Sequence, residues 1–178
     1  MTENVEKPLL NLLATAEHAA LGPGPRAGVK SEAELARDLK PILAEASLST
    51  DERELIRALV LLWHDHLDAA HTISQAIENP GGSLVHAIMH RREPDFWNSK
   101  YWWRRVGKHP CFPELARRVT ALLDSRNESA LLAKLAPRGE WDACAFVDAC
   151  ERAGDRDDLL REIQRIEFFV ALEHFAGH

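Results

Sequence analysis

The chain has 178 residues, 46% of them hydrophobic and 28% charged, and a formal net charge of -6 at neutral pH. That length suits one domain with its own core, and the acidic balance argues against a partner such as duplex nucleic acid. No apolar run approaches the ~20 residues of a membrane span, so no membrane partner is expected either.

Glu3 and Glu6 precede the first apolar stretch, unlike the basic start of a secretory leader, and this points to a cytoplasmic protein. Leu9, Leu10, Leu12, Leu13, Ala16 and Ala20 form a helical stripe that predicts a first helix over 8–21. Gly22-Pro23-Gly24-Pro25 stops it and opens a flexible loop around 22–30. Ser31 with Glu34, and Ser49 with Glu52, are capping boxes that start the next two helices. Pro41 is expected to kink or end the first of these; the second is expected to run unbroken from Ser49 to about Glu78. Asn79-Pro80-Gly81-Gly82 ends it, and a short helix follows from Ser83 to His90. Further helices are expected at about 94–107, 113–123, 127–136, 140–153 and 155–175. No segment alternates with period two for long enough to be a strand. The fold class is therefore all-α, a single-domain helical bundle of about eight helices spanning residues 1–178.

Six of the nine histidines lie between His64 and His109. On a continuous helix from 51 to 78, Leu55, Ile56, Leu59, Trp63, Leu67, Ala70, Ile73 and Ile77 make the apolar face, with His66 inside it as a satisfied core histidine. His64, Asp68 and His71 share one edge of that face at spacing i, i+4, i+7. His86, His90 and Glu93 repeat the spacing on the next helix. Helices joined by a short turn pack as antiparallel neighbours, so the two stripes are expected to meet. Imidazole and carboxylate are ligands of Zn²⁺, Fe²⁺, Mn²⁺ and Ni²⁺, which makes these six residues candidate metal ligands. The competing account is a polar interface of His–Asp and His–Glu hydrogen bonds. His64-Asp65 is also similar to the His-Asp pair of the HD superfamily of metal-dependent phosphohydrolases, with His18 and Asp124 or Asp148 as the remaining partners that resemblance implies.

Between Arg91 and Lys108 lie Arg91, Arg92, Lys100, Arg104, Arg105 and Lys108 against only Glu93 and Asp95, with three of the five tryptophans interleaved. Arginine forks bind phosphate or carboxylate and tryptophan offers a flat apolar wall. Arg91, Arg92, Tyr101, Trp102, Arg104, Arg105 and His109 are accordingly candidates to hold a small-molecule anion. Because neighbours on a helix point ~100° apart, only one arginine of each doublet can aim at a given point. Trp141, Phe146 and Val147 are expected to dock the penultimate helix, with Asp148 turned toward the basic segment. Cys111, Cys144 and Cys150 are too few and too scattered for a disulfide framework and read as buried thiols, with Cys111 beside His109 the one candidate nucleophile.

The run His86-Ala-Ile-Met-His90-Arg-Arg-Glu-Pro-Asp95, followed by Asn98-Ser-Lys-Tyr-Trp-Trp-Arg-Arg-Val-Gly-Lys-His-Pro110, resembles a family of bacterial and fungal proteins without an assigned function, as do Trp63 to His71 and Trp141 to Asp148. The resemblance spans about 60–175. It implies that Asp148, Gln164 and Glu167 support the central site, and it supplies no reaction. The expectation from the residues is a metal-dependent hydrolase of an anionic small molecule. A metal-free protein that binds or senses an anion, and a structural or partner-binding helical domain, are the alternatives. Nothing in the sequence fixes the oligomeric state.

Overall fold

The computed structural model describes residues 3–154 and 157–177. Among them are ten α-helices: α1 (Glu3–Leu12), α2 (Glu32–Ala44), α3 (Thr50–Trp63), α4 (Leu67–Gln75), α5 (Pro80–Arg92), α6 (Phe96–Val106), α7 (Phe112–Ser125), α8 (Ser129–Leu135), α9 (Ala143–Ala153) and α10 (Asp158–Phe175). The all-α class holds, with two more helices than expected. No described helix is long and apolar enough to cross a membrane.

Both capping boxes form, each serine accepting the amide of the glutamate three residues on. Pro41 does not end α2, which runs on to Ala44. The first helix ends at Leu12, well short of Leu21. The reason lies in where the backbone of 12–22 bonds. The Leu12 carbonyl meets His64, those of Ala19 and Ala20 accept from Gln164, and those of Ala20 and Gly22 accept from Arg92. Tertiary partners have taken the carbonyls a helix would have used. In the C-terminal third, α10 starts at Asp158; Asp155, where the helix was expected to begin, lies outside the described residues.

The largest departure is at Trp63, where the expected 28-residue helix divides into α3 and α4. His64 caps α3 at φ -90°, ψ 19°, and Asp65 turns into the left-handed region at φ 69°. Aspartate tolerates that conformation better than most residues. Here it is held there: Oδ2 accepts the Arg26 amide at 2.8 Å, and Oδ1 accepts Arg26 Nη1 at 2.5 Å and Arg92 Nη2 at 2.6 Å. Gly24 makes room for it, since a Cβ there would sit 2.7 Å from the Asp65 carboxyl carbon.

α5 is the axis of the molecule, with every residue from Gly81 to Arg92 buried. It starts at Pro80 rather than Ser83, because the Asn79 side chain accepts the Gly82 amide and proline suits the first helical position. α3, α4 and α6 pack on it; α9 covers α6, and α10 lies against α3 and α7. The α4–α5 turn is tight enough that a Cβ on Gly82 would stand 2.0 Å from the Ile77 carbonyl oxygen. α6 begins at Phe96, capped by Asp95, and is tied to α5 by the Ser99 hydroxyl donating to the Ala87 carbonyl at 2.7 Å. Trp141, Phe146 and Val147 are buried as expected, and Trp141 packs on Phe146.

Candidate metal centre

Three of the four candidate histidines converge. One ring nitrogen each of His71 on α4 and His86 and His90 on α5 lies within 4.8 Å of the other two, a group that could hold a metal ion. His86 and His90 stack one turn apart with centroids 4.8 Å apart, and His71 meets both edge-on at 4.7 and 5.3 Å. Trp102 of α6 closes the far side of His86, stacked at 4.0 Å. His86 and His90 are buried and His71 is half-buried, so the cluster has one side toward solvent.

Burial pushes the His86 imidazole down to about 3, helped by His90 and His71, and it lowers His90 as well. Both rings are therefore neutral near pH 7 and keep a lone pair for a ligand. Among the described residues His86 has no hydrogen-bond partner for its buried Nδ1. His90 differs: its Nδ1 is 3.0 Å from Glu93 Oε2, and Asn98 Nδ2 is 3.0 Å from its Nε2. Donation of Nδ1–H to Glu93 fixes the tautomer that leaves the Nε2 lone pair as the acceptor, which the Asn98 amide meets here.

The other expected ligands lie elsewhere. His64 is not in the group. As the cap of α3 it sits outside the register of α4, with Nε2 2.8 Å from the Leu12 carbonyl and Nδ1 accepting the Lys30 amide at 3.1 Å. Asp68 is exposed in the first turn of α4. Glu93 orients His90 rather than joining the three. His66 caps α4 and bonds the Lys30 carbonyl at 2.8 Å. The pairing that resembled the HD superfamily is not assembled: His64 holds the N-terminal segment and Asp65 holds Arg26 and Arg92.

The arginines are corrected in the same way. Arg91 is fully buried, with Nη1 donating to Glu167 Oε1 at 3.0 Å, a second, shorter bond from Nη2 to Glu167 Oε2, and another to Gln164 Oε1 at 3.2 Å. Gln164 and Glu167 therefore serve Arg91. Arg92 is fully buried too, spread over Asp65 and the carbonyls of Ala20, Gly22 and Leu62. Neither guanidinium is free for a ligand. Arg104 and Arg105 are both exposed, and Arg105 lies 5.1 Å from the Trp102 centroid and 6.0 Å from that of Tyr101. Of the four, only Arg105 reaches the aromatic side of the histidine cluster.

Asp148 does turn to the basic segment, accepting from Lys100 Nζ at 2.7 Å. His109 is on another face, edge-on to His174 at 4.8 Å and with Nδ1 3.0 Å from Cys111 Sγ. Burial drives the Cys111 thiol up to about 12 and His109 down to about 4, so this pair stays neutral and is no thiolate nucleophile at pH 7. The sequence reading left Trp97 and Asn98 out of the site; Trp97 is signalled by its i, i+4 spacing with Tyr101 and Arg105 on one α6 face, and Asn98 by its i, i+4 spacing with Trp102. No protein-family model, no curated protein and no solved structure matches the chain.

Proposed function

We propose that His71, His86 and His90 bind one divalent transition-metal ion and that the chain is a metal-dependent hydrolase of an anionic small molecule. The observation that carries the metal is His86: a buried, neutral imidazole with an unpartnered nitrogen, in reach of two further imidazoles. A buried imidazole with an unpaired polar atom is costly, and a cation bound by the three rings would give His86 a partner. All-nitrogen donors favour Zn²⁺, Ni²⁺ or Cu²⁺ over Mg²⁺ and Ca²⁺, which prefer oxygen. Such an ion supplies Lewis acidity toward water and an ester oxygen. The chain supplies the rest. Trp102 braces His86, Glu93 fixes the His90 tautomer, and the half-buried His71 leaves one approach from solvent.

Elemental analysis of protein purified without a histidine tag, with zinc titration calorimetry of chelator-treated protein, tests the reading. One ion per chain is expected in wild type and in His64→Ala, and none in His86→Ala. A wild type that takes up no zinc, or a His86→Ala variant that binds as well as wild type, overturns it. The hydrolase part is tested by turnover of phosphate and carboxylate esters, which a chelator should abolish and zinc restore.

A further inference from the structure

Three residues of α6, Trp97, Tyr101 and Arg105, occupy one face at i, i+4 spacing, and Trp102 borders it. They form a ladder of flat groups. Trp97 and Tyr101 are nearly parallel, 11° apart with centroids at 6.3 Å, and Tyr101 meets Trp102 edge-on at 5.5 Å. Trp102 in turn stacks on His86. The ladder thus runs from the histidine cluster to open surface, where Trp97 is 73% and Tyr101 40% exposed, the two large hydrophobic side chains exposed among the described residues. Two adjacent exposed rings form a contiguous apolar patch, unlike the single exposed hydrophobic side chains that are ordinary on a surface.

Arg105 stands beside the same ladder, its Nη1 3.5 Å from the Tyr101 hydroxyl. Arg105, like Arg53, Arg104, Arg138, Arg152 and Arg165, has no carboxylate within salt-bridge distance among the described residues, but of these it is the one whose guanidinium lies over the rings of Tyr101 and Trp102. A flat apolar surface and an uncompensated planar cation therefore lie side by side, next to the three histidines.

We infer that this face is a subsite for a planar aromatic anion, its ring laid on Trp97 and Tyr101 and its charged group held by the Arg105 fork. The combination selects the occupant. A purely aliphatic anion gains nothing from the rings, and a neutral aromatic gains nothing from the guanidinium. The inference deepens the hydrolase reading by naming the class of molecule presented to the histidines, and in that sense rests on it. Stacking and charge pairing do not need the metal, so the subsite can be tested alone.

Phenyl phosphate, inorganic phosphate and phenol are titrated into chelator-treated wild type, following tryptophan fluorescence and heat. Phenyl phosphate is expected to bind about tenfold more tightly than inorganic phosphate and than phenol, the scale of one stacked ring. Trp97→Ala and Arg105→Gln should each weaken it about tenfold, while Arg105→Lys recovers only part, having lost the fork. Both positions are exposed, so unchanged melting temperatures should accompany the loss. Equal affinity for phenyl phosphate and inorganic phosphate overturns the subsite, as does indifference of binding to Trp97→Ala. A dimer in sedimentation that Trp97→Ala dissolves also overturns it, because a second copy then covers the ladder. Zinc uptake measured on the same samples reports separately on the metal, so a lost subsite and a lost metal centre are distinguishable.

Discussion

At the scale of single residues, the same side-chain type does opposite work according to burial. Arg91 and Arg92 were legible as basic residues but not as buried ones. Nothing local in the sequence says that Glu167, 76 positions on, closes over Arg91. Removing one partner from a buried pair strands the other, so Glu167→Ala is expected to cost ~3–5 kcal/mol in urea unfolding. Asp148→Ala should cost under ~1 kcal/mol, because the Lys100–Asp148 bridge is on the surface, its carboxylate side chain 42% exposed. Equal costs for the two variants would refute this assignment of burial. Asn98 poses a different contrast. Its amide lies on the His90 Nε2 lone pair, 3.0 Å away, and so competes with an ion for it. Asn98→Ala is therefore expected to tighten zinc binding several-fold in calorimetry, whereas a ligand residue would weaken it. A weakened affinity would make Asn98 part of the ion's shell instead.

At the scale of elements, the helices were legible because capping boxes and apolar stripes are local signals, and Ser31–Glu34 and Ser49–Glu52 behave as those signals require. The break after Trp63 was not legible. Its apolar spacing continues past the break, while its cause is a tertiary clamp on Asp65 from Arg26 and Arg92. That break decided the site. It keeps His71 beside His86 and His90 and removes His64, which a continuous helix would have stacked with His71. The α4–α5 turn sets the remaining register. In an exposed helix, glycine to alanine gains ~1 kcal/mol of helix propensity. At Gly82 the sign reverses, because the added carbon would lie 2.0 Å from the backbone oxygen of Ile77, which can move only if the turn opens. Gly82→Ala is expected to lower thermal stability and, by shifting α4 along α5, to weaken zinc binding at least tenfold. Retention of wild-type affinity would show that the triad tolerates a displaced α4.

At the scale of the whole molecule, the buried histidines set how the fold responds to acid. Burial lowers His109 to about 4, with the His174 charge acting in the same direction, and it lowers His64, whose ring bonds the Leu12 carbonyl and the Lys30 amide. The unfolded chain protonates near pH 6.5, before either folded ring does. As pH falls below that value the unfolded state binds more protons than the folded one, so stability declines with acid. The stabilising contribution is whole above about pH 6.5 and is lost progressively down to the folded value, about 4 for His109. His109 accounts for about 1 kcal/mol between pH 6.5 and 5.5, the integral of proton uptake by an unfolded imidazole over that interval, and His64 acts in the same direction. Urea unfolding followed by tryptophan fluorescence is therefore expected to give a plateau from pH 8 to 7 and a decline below 6.5, without a metal present. The two histidines report on different parts of the fold: His109 lies beside α7 and α10, and His64 ties the N-terminal segment to the end of α3. His109→Gln should flatten the decline by about that share, and His64→Gln should flatten it in the same direction, even if they lower the plateau, because the slope counts protons and the plateau counts contacts. A decline that starts only below pH 5 would place the acid sensitivity in the carboxylates of the buried ion pairs, and one that neither variant flattens would place it there or in His86 and His90, whose rings burial also lowers.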